Sequence, residues 1–449
     1  MRKDKGMLSK KLFGVISLGC DKNRVDTEKL LGMIKKRGFS LTDDLSKANI
    51  VIVNTCAFLQ SARAEAIDTI LECADYKNGK LEKIVVTGCL PQKFVDELYL
   101  PLQEADVFLG ISDYEKIFEA LEESYTSGKR QNFVGKGNDG YHIERVLTTD
   151  EHYTYLKIAD GCFNHCTYCL IPKIRGKYRS YPMEQLVQEA EELGDISELI
   201  LVAQDTTRYG EDLYRENKFV ELLQKLSALE NIRSIRLLYC YPEMITDALI
   251  EEIATNDKIC KYLDIPLQHS ENRILKLMGR RGTREEYLAV FEKLRKRIQG
   301  VAIRSTFISG FPKETEEDFL GMQDFLKQAK LFHCGFFAYS REEGTGAYKM
   351  QPQVHHMTKK RRVKALYALQ EKISAQTLKA FVGKTLEVVC DGIDYDKNCF
   401  VGRAYFQAPD IDGKVYFHAH EAVQGEKYTV TVTQTDSYDL YGKTEDYTL

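Results

Sequence analysis

The feature that most constrains the fold of this chain is a regular alternation of apolar, strand-like segments with helical ones. Between residues 1 and 125 the strand candidates are FGVISLG, ANIVIVNT, EKIVVTG and DVFLGI, and helical segments separate them. Such a βαβ series predicts a parallel sheet covered by helices on both faces. From about residue 150 the alternation resumes with six longer units. Six β/α units predict a complete or partial barrel of the (β/α)6 type.

The pattern changes at two places, so the sequence predicts an α/β protein with three domains. The polar, Gly-rich segment SGKRQNFVGKGNDG indicates a linker after the first series. From about Phe381, short strands separated by Asp-Gly and Gly-Glu turns predict a small all-β, OB-like barrel. The predicted domains are an N-terminal parallel-sheet α/β domain over 1–135, a central partial barrel over 136–379 and a C-terminal barrel over 380–449.

Composition narrows the class of protein. The 449 residues carry a net charge of −4, which excludes a strongly basic nucleic-acid coat. No apolar run reaches membrane-spanning length, and no apolar signal core follows the charged segment MRKDKGMLSKKLFG. We therefore expect a cytoplasmic protein with no membrane partner. In that reducing compartment the 12 cysteines indicate metal ligands, catalytic thiols or buried packing residues rather than disulfides.

Three of the cysteines lie in the run GCFNHCTYC, where Cys162, Cys166 and Cys169 have the spacing C-x3-C-x2-C. Soft thiolates are typical ligands of iron–sulfur clusters, which ordinarily take four cysteines. With three thiolates, one iron keeps an open position, as catalytic metal sites do. The run therefore predicts a reactive cluster, and the alternative is a chance grouping of buried cysteines.

A second cysteine set follows from the strand prediction. Cys20, Cys56 and Cys89 each come directly after one of the first three predicted strands. Because the carboxyl ends of parallel strands share one edge of a sheet, we expect these thiols to converge. This predicts a second cluster with three protein ligands, and the alternative is that each cysteine is a small buried residue. We interpret the other cysteines as packing residues: Cys73, Cys240, Cys260, Cys334, Cys390 and Cys399.

The spacing of the 162–169 run resembles the cluster motif of radical S-adenosylmethionine (radical SAM) enzymes. This run, the upstream cysteine set and the C-terminal barrel occur in the same order in the radical SAM methylthiotransferases, whose C-terminal barrel is the TRAM domain. The chain resembles that family over nearly its whole length. The resemblance implies S-adenosylmethionine as cofactor and two 4Fe–4S clusters. The cluster on Cys162, Cys166 and Cys169 would generate the radical, and an auxiliary cluster on the Cys20 set would carry the sulfur. The implied reaction replaces a C–H bond with a methylthio group.

Two branches of this family differ in substrate, either a tRNA adenosine (MiaB type) or the β-carbon of an aspartate in a small-subunit ribosomal protein of the uS12 type (RimO type). The runs SLGCDKNRVDTE, DIPLQHS, CTYCLIPKIRGKYRS and APDIDG resemble the second branch, although Asp21 stands where Pro is common and Asp160 where Glu is common. From Phe381 onward the chain has six basic and twelve acidic residues. An acidic barrel complements a basic ribosomal protein better than it complements tRNA phosphates. The alternatives are a tRNA substrate and, more remotely, a non-catalytic iron–sulfur protein that binds RNA.

The resemblance also implies contacts with S-adenosylmethionine. Tyr168 lies between two cysteines of the run, and Gln268, Arg304 and the SGFPKE segment (309–314) are expected at strand ends facing the same site. The alternatives are local packing for Tyr168, a structural carboxylate partner for Arg304 and simple turn formation by the segment. The basic run KKRR (359–362) predicts a solvated helix face or a contact with ribosomal RNA. No residue pattern identifies the electron donor or the sulfur donor.

Overall fold

A computed structural model describes residues 8, 10–137, 143–150 and 152–447. The chain divides into two compact units. The first contains the described residues of Met1–Thr148 together with Asp160–Asn164 and Cys169–Glu192, and the second contains those of Thr149–Ala159, His165–Tyr168 and Leu193–Leu449. The bounds of the three predicted domains stay a prediction. Part of the predicted linker, residues 138–140, lies outside the described residues.

The first unit is built on a six-stranded parallel sheet with the order β2-β1-β3-β4-β5-β6. Its elements up to residue 148 are β1 Leu12–Ser17, α1 Asp21–Lys36, β2 Ser40–Leu41, β3 Ile50–Thr55, α2 Gln60–Ala74, β4 Lys83–Gly88, α3 Cys89–Leu98, β5 Val107–Phe108, α4 Ile117–Ser127 and β6 Gln131–Asn132. The predicted parallel sheet is confirmed. Strand β6 lies inside the segment that was predicted to be a linker.

Both faces of this sheet are buried, as the continuous apolar runs predict. In β3, Val51 and Val53 belong to one hydrophobic cluster, whereas Ile50 and Ile52 belong to another on the opposite face. Alternate residues of a strand point to opposite faces, so a strand covered on both sides must be apolar throughout. All six residues of β3 are buried, including the polar Asn54 and Thr55 at its carboxyl end.

The chain then passes through β7 Tyr153–Lys157, β8 Ala159–Asp160, α5 Ile171–Ile174, β9 Arg179–Ser180 and α6 Met183–Glu192. Strand β7 begins the sheet of the second unit, which has six parallel strands in the order β14-β13-β12-β11-β10-β7. The remaining elements of this part are β10 Glu198–Val202, α7 Phe219–Ser227, β11 Ile235–Leu237, α8 Asp247–Thr255, β12 Ile259–Asp264, α9 Asn272–Met278, α10 Arg284–Arg297, β13 Ala302–Ser309, α11 Glu316–Ala329, β14 His333–Ala338 and α12 His356–Leu378. All six predicted strands form, and the sheet is open, so the barrel is partial.

A closed five-stranded barrel completes the second unit, with the order β15-β16-β17-β19-β18. Its strands are β15 Thr385–Asp394, β16 Cys399–Ala404, β17 Val415–His418, β18 Lys427–Thr435 and β19 Leu440–Thr444. The predicted OB-like barrel is confirmed, and β19 is an additional strand that the sequence did not predict. Short 3-10 helices occur at Leu45–Lys47, Asp75–Asn78, Tyr114–Lys116, Thr206–Arg208, Pro242–Met244, Ala347–Lys349 and Lys379–Phe381. None of the described helices combines the length and apolar character needed to cross a membrane.

Buried ion pairs join the five-stranded barrel to the open sheet within the second unit. Glu198, the first residue of β10, pairs with Arg236 of β11 and with Arg403 of β16. Asp412, in the loop after β16, accepts a hydrogen bond from the Tyr262 hydroxyl (2.7 Å) and pairs with Arg304 of β13 (3.3 Å). These sheet residues lie before the carboxyl ends of their strands, so the barrel leaves the carboxyl edge to other groups.

Candidate functional site

The three strand-following cysteines of the first unit meet at the carboxyl edge of its sheet. Cys20 precedes helix α1, Cys56 follows β3 directly, and Cys89 is the first residue of α3. The strands before Cys56 and Cys89 are paired so that Thr55 lies opposite Gly88. Helix N-termini favour thiolates electrostatically, an effect that opposes the cost of burying a charged sulfur at Cys89. The expected convergence agrees with the structure.

Close packing of the loops brings these cysteines together. Gly19 has φ +97°, and a Cβ at this position would lie 2.7 Å from the Cβ of Cys56. Only glycine fits there, so the loop that carries Cys20 approaches Cys56 directly. Asn23 then links the loops, because its side-chain NH2 donates to the carbonyls of Leu18 (3.0 Å) and Thr55 (3.0 Å).

Arg175 completes the surroundings of Cys89. Its guanidinium donates to Asp160 (2.8 Å) and Asp26 (3.2 Å), and its Nη2 also donates to the Sγ of Cys89 (3.7 Å). Burial acts to lower the pKa of Arg175, but Asp160, Cys89 and Asp26 outweigh it and hold that pKa well above its ordinary value. Sequence analysis missed Arg175 and Asn23. Both residues lie in runs that resemble the family, Arg175 six residues after Cys169 and Asn23 three after Cys20, but nothing in those runs singles out their side chains.

Burial changes the pKa values of two of these thiols. Burial raises the pKa of the Cys89 thiol to about 12, and it also raises the pKa of Cys56, while the charge of Arg175 opposes both shifts. A thiol must lose its proton to bind metal, so metal binding here would release protons. Within the described part of the chain, no three His, Cys, Asp or Glu side chains are grouped to hold a single metal ion. A 4Fe–4S cluster binds each thiolate through a different iron, and three free thiols on separate loops of one edge suit that arrangement.

The C-x3-C-x2-C run lies in a loop between β8 and α5. Cys162 and Cys169 belong to the first unit, and their sulfurs accept backbone N–H bonds from Asn164 (3.3 Å) and Ile171 (3.4 Å). Such N–H donors stabilise a thiolate and tune the metal that it binds. Both sulfurs therefore have backbone donors of the kind that a thiolate ligand uses. Their assignment to a cluster stays a prediction.

Cys166 and Tyr168 belong to the second unit. Thr167 between them donates its backbone N–H to Met278 (2.9 Å), and Tyr168 packs against a cluster containing Met278 and Phe311. The buried guanidinium of Arg280 lies over the ring of Tyr241. Burial acts to lower the pKa of Arg280, but Tyr168 and Cys166, among others, hold it well above its ordinary value. The proposed packing of Tyr168 is present, and its contact with S-adenosylmethionine stays a prediction.

Gln268 and the SGFPKE segment lie at the carboxyl edge of the second unit's sheet. Gln268 has φ +74°, and its backbone bonds to Thr306 (2.8 Å) and Ile308 (2.7 Å) of β13. Glu314 closes the segment by accepting backbone N–H bonds from Gly310 (2.6 Å) and Phe311 (3.1 Å). The turn is therefore held by its own glutamate, and roles in cofactor binding stay predictions.

Glu314 also lies close to side chains of two other runs, KKRR and DIPLQHS. Arg362 of the KKRR run donates to it (2.8 Å), and the Nε2 of His269 lies 3.5 Å away. Burial acts to raise the pKa of Glu314, but His269 and Arg362 hold it below its ordinary value. Arg362 is buried, and Lys359 donates to a backbone carbonyl (2.9 Å). The KKRR run is thus not simply a solvated face, because two of its four side chains stabilise this edge of the fold.

Arg304 is placed differently from the prediction. It is the third of the eight residues of β13, so the expectation that it lies at the strand's carboxyl end is wrong. Its guanidinium pairs with Asp264 (2.9 Å) and Asp412 (3.3 Å). Burial acts to lower the pKa of Arg304, yet Asp264, Tyr262 and Asp412 hold it well above its ordinary value. The carboxylate partner considered as its alternative is present, and its contact with S-adenosylmethionine stays a prediction.

Comparisons with known proteins agree with this architecture. The chain is 45% identical to a protein of Acetivibrio thermocellus named ribosomal protein uS12 methylthiotransferase RimO, over 97% of this chain and 98% of that one. Proteins of the same name in Lachnoclostridium phytofermentans and Clostridium botulinum are each 46% identical, covering 96% and 98% of this chain and 99% of each relative. The chain belongs to the RimO family. As a RimO-family member it is a radical SAM transferase, and the tRNA-modifying alternative is not favoured by these relatives.

Family models match the parts of this RimO-family chain in order. The uncharacterized protein family UPF0004 matches residues 12–110, the Radical SAM superfamily residues 156–326 and the TRAM domain residues 382–444. Among solved structures, the radical SAM methyltransferase TsrM from Kitasatospora setae has a TM-score of 0.53 at 14% identity, covering 75% of this chain and 77% of that one. At that identity the likeness concerns the fold alone.

Proposed function

We propose that this chain transfers a methylthio group to the β-carbon of an aspartate in ribosomal protein uS12. The observation that carries the proposal is full-length similarity to RimO proteins combined with three free cysteines at one sheet edge. The acidic C-terminal barrel supports a basic protein partner over tRNA, because a surface that follows nucleic-acid phosphates should be basic. Since the substrate belongs to the ribosome, we place this activity in the cytoplasm.

Two 4Fe–4S clusters are part of the proposal. Cys162, Cys166 and Cys169 would hold the first, and S-adenosylmethionine would bind the iron that they leave open. Cys20, Cys56 and Cys89 would hold the second, auxiliary cluster. When bound, the clusters and S-adenosylmethionine supply radical and sulfur chemistry that no amino-acid side chain provides.

The residues of the chain position and shield these groups. Backbone N–H groups of Asn164 and Ile171 donate to the sulfurs of Cys162 and Cys169 and so fix their orientation. Gly19 allows the Cys20 loop to approach Cys56, and Asn23 holds the two loops together by donating to a carbonyl at the start of each. These are positioning roles. The target β-carbon carries no acidic proton that a side-chain base could easily remove, so these residues would contribute by holding the reacting groups in place.

Separate replacement of the two cysteine sets tests the division of labour. Replacing Cys162, Cys166 and Cys169 with Ala should abolish 5′-deoxyadenosine formation in the anaerobically reconstituted protein. Replacing Cys20, Cys56 and Cys89 with Ala should preserve 5′-deoxyadenosine formation but stop thiolation of uS12. Cys73→Ala is the control, because Cys73 is a buried helix residue that packs in the hydrophobic core.

The outcome is measured as 5′-deoxyadenosine yield, iron per chain and product mass. Intact thiolation after loss of Cys20, Cys56 and Cys89 would show that this set is structural. Zinc in place of iron after reconstitution would instead support the non-catalytic alternative and end the radical proposal.

A further inference from the structure

Arg175 is a buried arginine that links two parts of the first unit. It follows helix α5 directly and is 4% exposed. One of its guanidinium nitrogens donates to Asp160 (2.8 Å), which stands two residues before Cys162. The other donates to Asp26 (3.2 Å) in helix α1, which starts just after Cys20. Arg175 therefore connects the segment that leads into Cys162 with the helix that follows Cys20.

The same guanidinium touches sulfur. Its Nη2 donates to the Sγ of Cys89 at 3.7 Å and also bonds to the side-chain oxygen of Asn23. The Arg175 charge lies close enough to Cys20 and Cys56 to influence them electrostatically as well. Since guanidinium stays protonated in proteins, this is a fixed positive charge in contact with the Cys89 thiol.

A fixed charge of this kind has two effects on a thiolate-bound cluster. Donors to a ligand's sulfur fix its orientation, and removal of such a donor typically lowers metal affinity by roughly 10–100-fold. Positive charge and N–H···S bonds also favour the more negative, reduced state of a cluster and so raise its reduction potential. A purely structural arginine would need only its two carboxylates.

We propose that Arg175 is a positioning residue for the auxiliary cluster, holding Cys89 in place and raising that cluster's reduction potential. The inference rests on the proposed function, since it requires a cluster on Cys20, Cys56 and Cys89. It goes further by assigning the control of that cluster to a residue outside the cysteines. Arg175 lies six residues after Cys169, so the segment that follows the radical-generating run contributes a side chain to the auxiliary site.

The test uses the full chain with Cys162, Cys166 and Cys169 replaced by Ala, so that only the auxiliary cluster is reconstituted. In this background Arg175→Gln removes the charge, and Arg175→Lys keeps the charge but loses the planar fork. Arg145→Gln is the matched control, because the side chain of Arg145 is also buried and also pairs with two carboxylates, Glu28 and Glu189. Iron per chain and the midpoint potential, followed by electron paramagnetic resonance, are measured for each.

The expected result is a lower midpoint potential in Arg175→Gln, by at least tenfold in the reduction equilibrium or about 59 mV for one electron. The potential of Arg175→Lys should fall between those of the parent protein and Arg175→Gln, and the potential of Arg145→Gln should match that of the parent. Selective iron loss from Arg175→Gln would also support the proposal. An unchanged potential with full iron, or equal iron loss in the Arg175→Gln and Arg145→Gln variants, would overturn it. Absence of any cluster in the parent background would instead refute the auxiliary site itself.

Discussion

The buried triad of Glu198, Arg236 and Arg403 supports a prediction about stability. Glu198 is 2% exposed and pairs with both guanidiniums, one from the open sheet and one from the five-stranded barrel. The change Glu198→Gln keeps the size of the side chain and removes its charge. Two buried arginines would then lose the carboxylate that they share, and the barrel would lose a contact with the sheet.

The magnitude follows from the pKa of Glu198. Burial acts to raise it, but Arg236 and Arg403 lower it from 4.5 to about 2. A shift of that size corresponds to about 3 kcal/mol of stability at neutral pH. Breaking a buried ion pair by removing one partner costs about 3–5 kcal/mol, which agrees. Because the folded pKa is depressed, this stability is complete above pH 4.5 and is lost as the pH falls towards 2.

Urea unfolding followed by circular dichroism measures the difference between wild type and Glu198→Gln. We expect the free energy of unfolding of Glu198→Gln to be about 3 kcal/mol below that of the wild type at pH 7. At pH 4 this difference should be smaller by about 1 kcal/mol, because protonation of Glu198 then begins to remove the stabilisation in the wild type. The control is Glu387→Gln, because Glu387 makes an exposed pair with Lys427 that should contribute less than about 1 kcal/mol. A Glu198→Gln effect no larger than the control, or one independent of pH between 7 and 4, would refute this reasoning.

Three further predictions concern the loops and edges of the candidate site. Gly161→Ala should reduce iron content after reconstitution, because its φ is +74° and a Cβ would lie 2.2 Å from a backbone oxygen, whereas Gly128→Ala, with open space around it, should not. Arg304→Lys should lower stability by about 1.5–3 kcal/mol through lost charged hydrogen bonds without changing KM for S-adenosylmethionine, and a raised KM would instead favour cofactor contact. Glu314→Gln should raise KM for S-adenosylmethionine in a 5′-deoxyadenosine assay. Gln can still accept from Gly310 and Phe311, but it loses the charge and the second oxygen that accepts from Arg362. An unchanged KM would show that this turn does not contribute to cofactor binding.

Much of the fold could be predicted because its signals are local. Apolar runs such as IVIVNT must form strands covered on both faces, and the structure confirms the two parallel sheets and the OB-like barrel. The missed strands lacked that signal. Strands β2 and β6 have only two residues each, too few to show periodicity, and β19 contains Gly442 and Lys443 among its five residues.

The candidate site was predictable only in part. The convergence of Cys20, Cys56 and Cys89 follows from parallel-strand geometry, so the sequence was sufficient for it. Arg175 was not, because its partners come from segments as much as 152 residues away along the chain. Arg304 was expected at a strand end but is the third residue of β13, and no local pattern indicated its partner Asp412, which lies 108 residues further on in the C-terminal barrel. Long-range ion pairs leave no periodic signal in a sequence.

The most direct test of the account is the mass of the product formed on each candidate substrate. The anaerobically reconstituted protein would be incubated with S-adenosylmethionine, sulfide and a reductant, together with either ribosomal protein uS12 or tRNA. The account predicts that uS12 gains the mass of one methylthio group in exchange for hydrogen on an aspartate residue, and that tRNA gains nothing. A methylthio gain on tRNA with none on uS12 would contradict it.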